Sequence, residues 1–143
     1  MRIALGSDLR NELTDALQRM LRQRGHGVSL HGALDSEDDS WTHAARAVGE
    51  AVGAGRADCG IVCCWTGTGV SIAANKVRGV RAALCGDAET AAGAREWNDA
   101  NVLALSLRST SIALGEEILD AWLGAAPTDD PKYHAMIEEV ELR

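Results

Sequence analysis

Short unbroken apolar runs alternate along the chain with longer stretches in which apolar residues return every three or four positions. Residues 2–7, Arg2-Ile3-Ala4-Leu5-Gly6-Ser7, form one such run, and Leu13, Ala16, Leu17, Met20 and Leu21 follow at helical spacing before Gly25. That is the pattern of a buried strand feeding an amphipathic helix closed by glycine. Repeated along the chain, it predicts strands over 27–30, 59–64, 80–84 and 102–106, with a solvated acidic loop over 35–39. Helices are predicted from that loop through about Ala54, over 70–75, from Ala88 to about Trp97, and over 111–123 with Ile112, Ile118, Leu119 and Trp122 inward. Pro127 and Pro131 mark a break over 125–130, and a terminal helix is expected over about 131–141.

Strict alternation of strand and helix implies an α/β fold with right-handed crossovers: a Rossmann-like three-layer sandwich around a five-stranded parallel sheet, its ligand site at the carboxyl ends of the strands. Asp8, Cys64, Gly86 and Arg108 all stand at or just past predicted strand ends and can converge on that edge. No linker, repeat or low-complexity segment interrupts the 143 residues, so one domain over 1–143 is expected.

Composition narrows the function. A formal charge of −7 with no run of Lys or Arg argues against nucleic acid as a partner, because phosphate backbones are held by clustered cations. No long apolar run or basic leader suggests a membrane or secretory route. Four cysteines, three of them at 59, 63 and 64, lie in or beside apolar runs. Adjacent strand residues point to opposite faces, so Cys63 and Cys64 do not bridge, and a reducing cytoplasm is expected. There is no Cys-x-x-Cys pair and no histidine to complete a set, so no metal is expected.

The chemistry concentrates where the third strand ends. Cys64 is followed by Trp65-Thr66-Gly67-Thr68-Gly69 and then by the helical Val70-Ser71-Ile72-Ala73-Ala74-Asn75-Lys76. A strand tip fixes the thiol, a glycine-broken turn leaves backbone N–H groups free, and a following helix favours anions. The turn is no dinucleotide fingerprint, since Ile72 stands where the third glycine belongs. Read from the residues alone, Cys64 is either a base or a small buried hydrophobe, and Asp8 either binds a ligand or caps the first helix. Trp65 and Trp97 either fill a core or an interface or offer a stacking face, and Lys132 is a solvated charge or a ligand contact.

These residues resemble the type B ribose-5-phosphate isomerase family, which includes galactose-6-phosphate isomerase subunits. The likeness runs over nearly the whole chain: Gly6-Ser7-Asp8, the stretch from Gly60 to Lys76, Val80-Arg81-Ala82-Ala83, Asn98-Asp99-Ala100-Asn101-Val102-Leu103, and Arg108. It implies a metal-free, cofactor-free aldose–ketose isomerase of sugars or sugar phosphates, with active sites assembled between subunits of a homodimer or homotetramer. In that reading Cys64 moves a proton between C1 and C2. Thr66, Gly67, Thr68 and Gly69 hold the enediolate oxygen, Asp8 and Asn98 bind sugar hydroxyls, and Arg108 sits on the phosphate side.

The chain departs from the family at specific places. Leu9 replaces a histidine after Asp8, Trp97 stands where the ring-opening histidine is expected, and Trp65 replaces a glycine after the thiol. The terminal helix offers Lys132 and Met136 in place of two basic residues. An indole cannot relay a proton, so the departures imply either another proton carrier, with His43 a candidate, or an open-chain substrate other than ribose 5-phosphate. A non-catalytic sugar- or nucleotide-binding regulatory module is the alternative, and a redox protein using Cys64 a third.

Overall fold

The computed structural model describes residues 1–141, so the last two residues of the expected domain lie outside the described residues. Five strands form one parallel sheet: β1 (Arg2–Ser7), β2 (Gly27–Gly32), β3 (Cys59–Cys64), β4 (Ala82–Leu84) and β5 (Val102–Ser106), in the order β2-β1-β3-β5-β4. Around it lie α1 (Glu12–Gln23), α2 (Trp41–Gly53), α3 (Thr68–Ala74), α4 (Ala88–Asn98), α5 (Ile112–Gly124) and α6 (Pro131–Glu141). The expected three-layer α/β sandwich is the fold.

Alternate residues of the central strands feed two cores. Ile3, Leu5, Ile61, Cys63, Leu103 and Leu105 meet α1, α4 and α5 on one face. Ala4, Val62, Cys64, Val102 and Ala104 meet α2 and α3 on the other. Cys63 and Cys64 therefore face opposite layers, as strand geometry dictates. The second core is built of small residues because α2 lies close on the sheet: a Cβ at Gly60 would stand 2.5 Å from Val48 Cγ1. The abundance of Ala and Gly in the sequence reflects this close approach.

Several details differ from expectation, among them α3, which starts at Thr68, two residues earlier than predicted. β2 runs two residues further than predicted, because His31 and Gly32 continue the parallel register against Gly6 and Ser7. β4 is shorter, because Val80 N–H turns back to the Val77 carbonyl and Arg81 N–H is taken by Asn101 Oδ1 at 2.8 Å. Ile112 is exposed, since it opens α5 one turn before Gly115 brings that helix against Leu13. The inward stripe is Gly115, Ile118, Leu119 and Trp122. Among the described residues no helix is long and apolar enough to cross a membrane.

Candidate active site

The order in which strands are added reverses at β1: the chain leaves β1 for β2 on one side and returns to β3 on the other. Such a switch point opens a crevice at the carboxyl ends of the strands. Ser7 pairs with Cys63, so the next residues, Asp8 and Cys64, stand at the same level across it. Together with Trp41, Trp65, Thr66, Thr68 and Gly69 they line a cleft of about 290 Å³.

Cys64 ends β3 and is only 5% exposed. The strand end is held from the far side, where Leu107 N–H donates to the Cys64 carbonyl and Arg108 N–H to the Trp65 carbonyl, both at 2.9 Å. Ser106 Oγ adds a bond to the Trp65 carbonyl at 3.0 Å. The other thiols differ in setting: burial pushes Cys63 far up, and burial with Asp87 pushes Cys85 up to about 11. Both stay protonated at neutral pH, and neither lines the cleft.

Beyond Cys64 the chain turns through Gly67, which caps α3 in the left-handed region at φ 76°. A Cβ there would meet Leu84 Cδ1 at 2.6 Å and the Leu105 carbonyl carbon at 2.9 Å, so glycine is required twice over. Among the described residues the backbone N–H groups of Thr66, Gly67, Thr68 and Gly69 donate to no acceptor. The Thr66 and Thr68 hydroxyls bond each other at 2.8 Å beside them. Unpaired N–H groups in a turn that lines a cleft can donate to an oxyanion.

Asp8 is not the helix cap. Asn11 caps α1, its side chain accepting from Thr14 N–H at 3.0 Å while Thr14 Oγ1 accepts from Asn11 N–H at 2.9 Å. The Asp8 carboxylate is left in the cleft, where its Oδ1 is buried without a hydrogen-bond partner. Burial, and secondarily Asp39, raise this carboxyl above its ordinary range, against an opposing backbone hydrogen bond.

Other expected residues lie elsewhere in the protomer. Trp97 and Asn98 close α4 and line a second groove of about 300 Å³ with Arg81, Tyr133, Met136 and Val140. Asp99, at φ 44°, fixes this corner by pairing with Arg81 at 3.1 Å and Arg95 at 3.5 Å. Arg108 is exposed past β5, and Gly86 follows β4; neither lines the cleft. Lys132 lies on α6, its Nζ 5.4 Å from the Tyr133 ring centroid. His43 does not line the cleft; its Nδ1 is bonded to Asp38 at 2.9 Å on an exposed surface. Trp65 and Trp97 are 56% and 46% exposed, which removes the core-filling reading for both.

Trp41 is the cleft residue that sequence reasoning did not assign a role. Its signal was present: Ser40 caps α2, and a helix that follows a parallel strand starts at the sheet's carboxyl edge, so its first residue overhangs the site. Among the described residues no group of three His, Cys, Asp or Glu side chains is placed to hold a metal ion.

Proteins similar to this chain include sugar-phosphate isomerases. The chain matches the Ribose/Galactose Isomerase family over residues 3–140 and belongs to it. It is 45% identical over 105 residues to ribose-5-phosphate isomerase B of Escherichia coli, covering 73% of this chain and 70% of that protein. It is 39% identical over 129 residues to the D-erythrulose-4-phosphate isomerase of Pectobacterium atrosepticum, covering 86% and 82%. The solved ribose-5-phosphate isomerase B of Clostridium thermocellum superposes with a TM-score of 0.91 at 36% identity, over 99% of this chain and 96% of that one. The chain is thus an aldose–ketose isomerase.

Proposed function

We propose that the chain isomerises an open-chain sugar phosphate through an enediolate, with Cys64 as the carbon base. The observation that carries this reading is the shared cleft: Cys64 lines it together with the turn whose N–H groups are unpaired and with Asp8, whose Oδ1 is buried without a partner. A base takes the carbon-bound proton, the Thr66 to Gly69 turn holds the oxygen on which charge develops, and Thr68 and Asp8 orient hydroxyls.

The substrate is a short sugar phosphate that cannot cyclise. The cleft is at the small end for a ligand site, walled by Trp41 and Trp65, and Trp97 stands where the resemblance implies a ring-opening imidazole. A tetrose 4-phosphate has its C4 oxygen esterified, so no furanose ring closes and no ring-opening acid is needed. One relative is named for such a sugar, D-erythrulose 4-phosphate.

The protein acts as a homodimer or a dimer of dimers, with Trp97, Asn98, Arg108 and Lys132 of one protomer completing the Cys64 cleft of its partner. Supporting this, α6 buries none of its residues within the protomer, and Met136 and Val140 expose apolar surface beside Trp97. It works without a metal or cofactor in the reducing cytoplasm, where four free buried thiols are stable.

Proton NMR in D2O over a panel of tetrose, pentose and hexose phosphates and their free sugars tests the reading. Turnover and deuterium uptake with D-erythrulose 4-phosphate above D-ribulose 5-phosphate are expected. Preference for ribulose 5-phosphate would overturn the substrate, and binding without deuterium uptake would make the protein a regulatory module.

A further inference from the structure

Among the described residues two side chains lining the cleft carry an ionisable group, and they stand across the switch crevice from each other: Cys64 and Asp8. The remaining lining residues are two tryptophans, two threonines and a glycine. Isomerisation moves two protons, one between carbons and one between oxygens, and the second needs a carrier too. His43 does not line the cleft and is bonded to Asp38, and the Trp97 indole is not an acid–base group near neutrality.

We propose that Asp8, entering the cycle as a neutral carboxylic acid, is the proton carrier between O1 and O2 of the substrate. This rests on the reading of Cys64 as the carbon base. Starting from the aldose, the Cys64 thiolate takes the C2 proton, the C1–C2 double bond forms with the charge on O1 held by the Thr66 to Gly69 turn, and the Asp8 carboxyl then gives its proton to that oxygen. The Asp8 carboxylate then takes the proton from the O2 hydroxyl, C2 becomes a carbonyl, and the Cys64 thiol returns a proton to C1. Thiolate and carboxylic acid are regenerated, with no co-reactant.

Three features of Asp8 fit the task. Its Oδ1 is buried with no donor, an arrangement that is costly for a carboxylate and mild for an acid holding its own proton. Asn11 relieves it of capping, so its carboxyl is not committed to the helix terminus. Burial, and more weakly Asp39, favour the protonated form and outweigh the opposing backbone hydrogen bond. Asp8 thereby takes up proton transfer in a site from which the expected imidazole is missing.

The test is D8N, which keeps shape and hydrogen-bonding reach but cannot carry the proton, assayed with D-erythrulose 4-phosphate and D-ribulose 5-phosphate in D2O. Deuterium uptake at C1 of the ketose reports the Cys64 step, and aldose formation reports the whole cycle. In D8N aldose formation should fall about 100-fold or more, as loss of a general acid does, while C1 exchange falls less than about tenfold. D8S should give the same raised ratio of exchange to isomerisation, and the retained exchange shows that both variants are folded. Equal loss of the two rates, or a raised KM with kcat unchanged, would overturn the assignment and leave Asp8 a hydroxyl contact. Wild-type protein that exchanges with neither sugar would instead overturn the Cys64 reading, and this proposal with it.

Discussion

The indole of Trp41 lies so close over Gly69 that a Cβ added to the glycine would stand 3.0 Å from Cε3 and 3.1 Å from Cδ2. One wall of the thiol's cleft is thus a ring resting on bare backbone, and the position of that ring depends on the missing side chain. Gly69 is not among the positive-φ residues, so alanine there is conformationally tolerable and acts through the contact alone.

G69A should therefore push Trp41 over the cleft, lowering kcat/KM about tenfold or more while the melting temperature changes by no more than a few degrees. The double variant G69A/W41L, which removes the obstructing ring, should regain part of that loss. Steady-state kinetics and thermal unfolding of both proteins check the pair. A G69A enzyme of full activity would show that Trp41 does not bound the reacting space.

The edge strand is tied to the helix that carries the turn. Asn75 Oδ1 accepts from Ala82 N–H at 2.8 Å, and its Nδ2 donates to the Ala82 carbonyl at 2.9 Å and the Ser71 carbonyl at 3.0 Å. N75A removes all three and should cost about 1–3 kcal/mol. Amide exchange over Ala82–Leu84 should quicken before the rest of the sheet responds. Because the Leu84 side chain packs where a Gly67 Cβ would lie, activity should fall along with stability.

How much of this was legible beforehand depends on the range of the interaction. β1, β3 and β5 are buried on both faces, so their apolar runs had one reading, and the α1 stripe of Leu13, Ala16, Leu17, Met20 and Leu21 was equally direct. Cys64 and its turn could be found because strand, thiol and glycines are contiguous. β4 was overdrawn because its start is set by Asn101, twenty positions away, taking the Arg81 N–H. Helical periodicity marks Ile112 as inward but does not say where a helix first meets its neighbour. Trp41 was missed for a related reason: its partner Gly69 is remote in sequence, and an aromatic after an N-cap looks ordinary until the topology sets it over the crevice. Trp97 and Asn98 were easy to single out, but only the three-dimensional arrangement separates their groove from the cleft of their own chain.

Arg2 and Asp58 supply a test of pH dependence. The Arg2 guanidinium and backbone N–H hold the Asp58 carboxyl down at about 2, well below its ordinary 3.8. A depressed folded-state value adds stability above the unfolded value, and that stability is lost as pH falls from about 3.8 through about 2. D58N should be less stable than wild type near neutrality, with the gap closing across that acid window. Thermal unfolding of both proteins between pH 2 and 6 reads the difference, which should be small because the pair is exposed.

The central claim is that Cys64 moves the carbon-bound proton, and the most direct measurement is deuterium uptake from D2O into the ketose phosphate by wild type, C64A and C64S, followed by NMR. Wild type should label C1 in step with isomerisation. Both variants should lose uptake by about 1,000-fold or more while keeping the fold, the oligomer and saturable binding of the sugar phosphate. Exchange by C64A within about tenfold of wild type would contradict the account and assign the proton to another group.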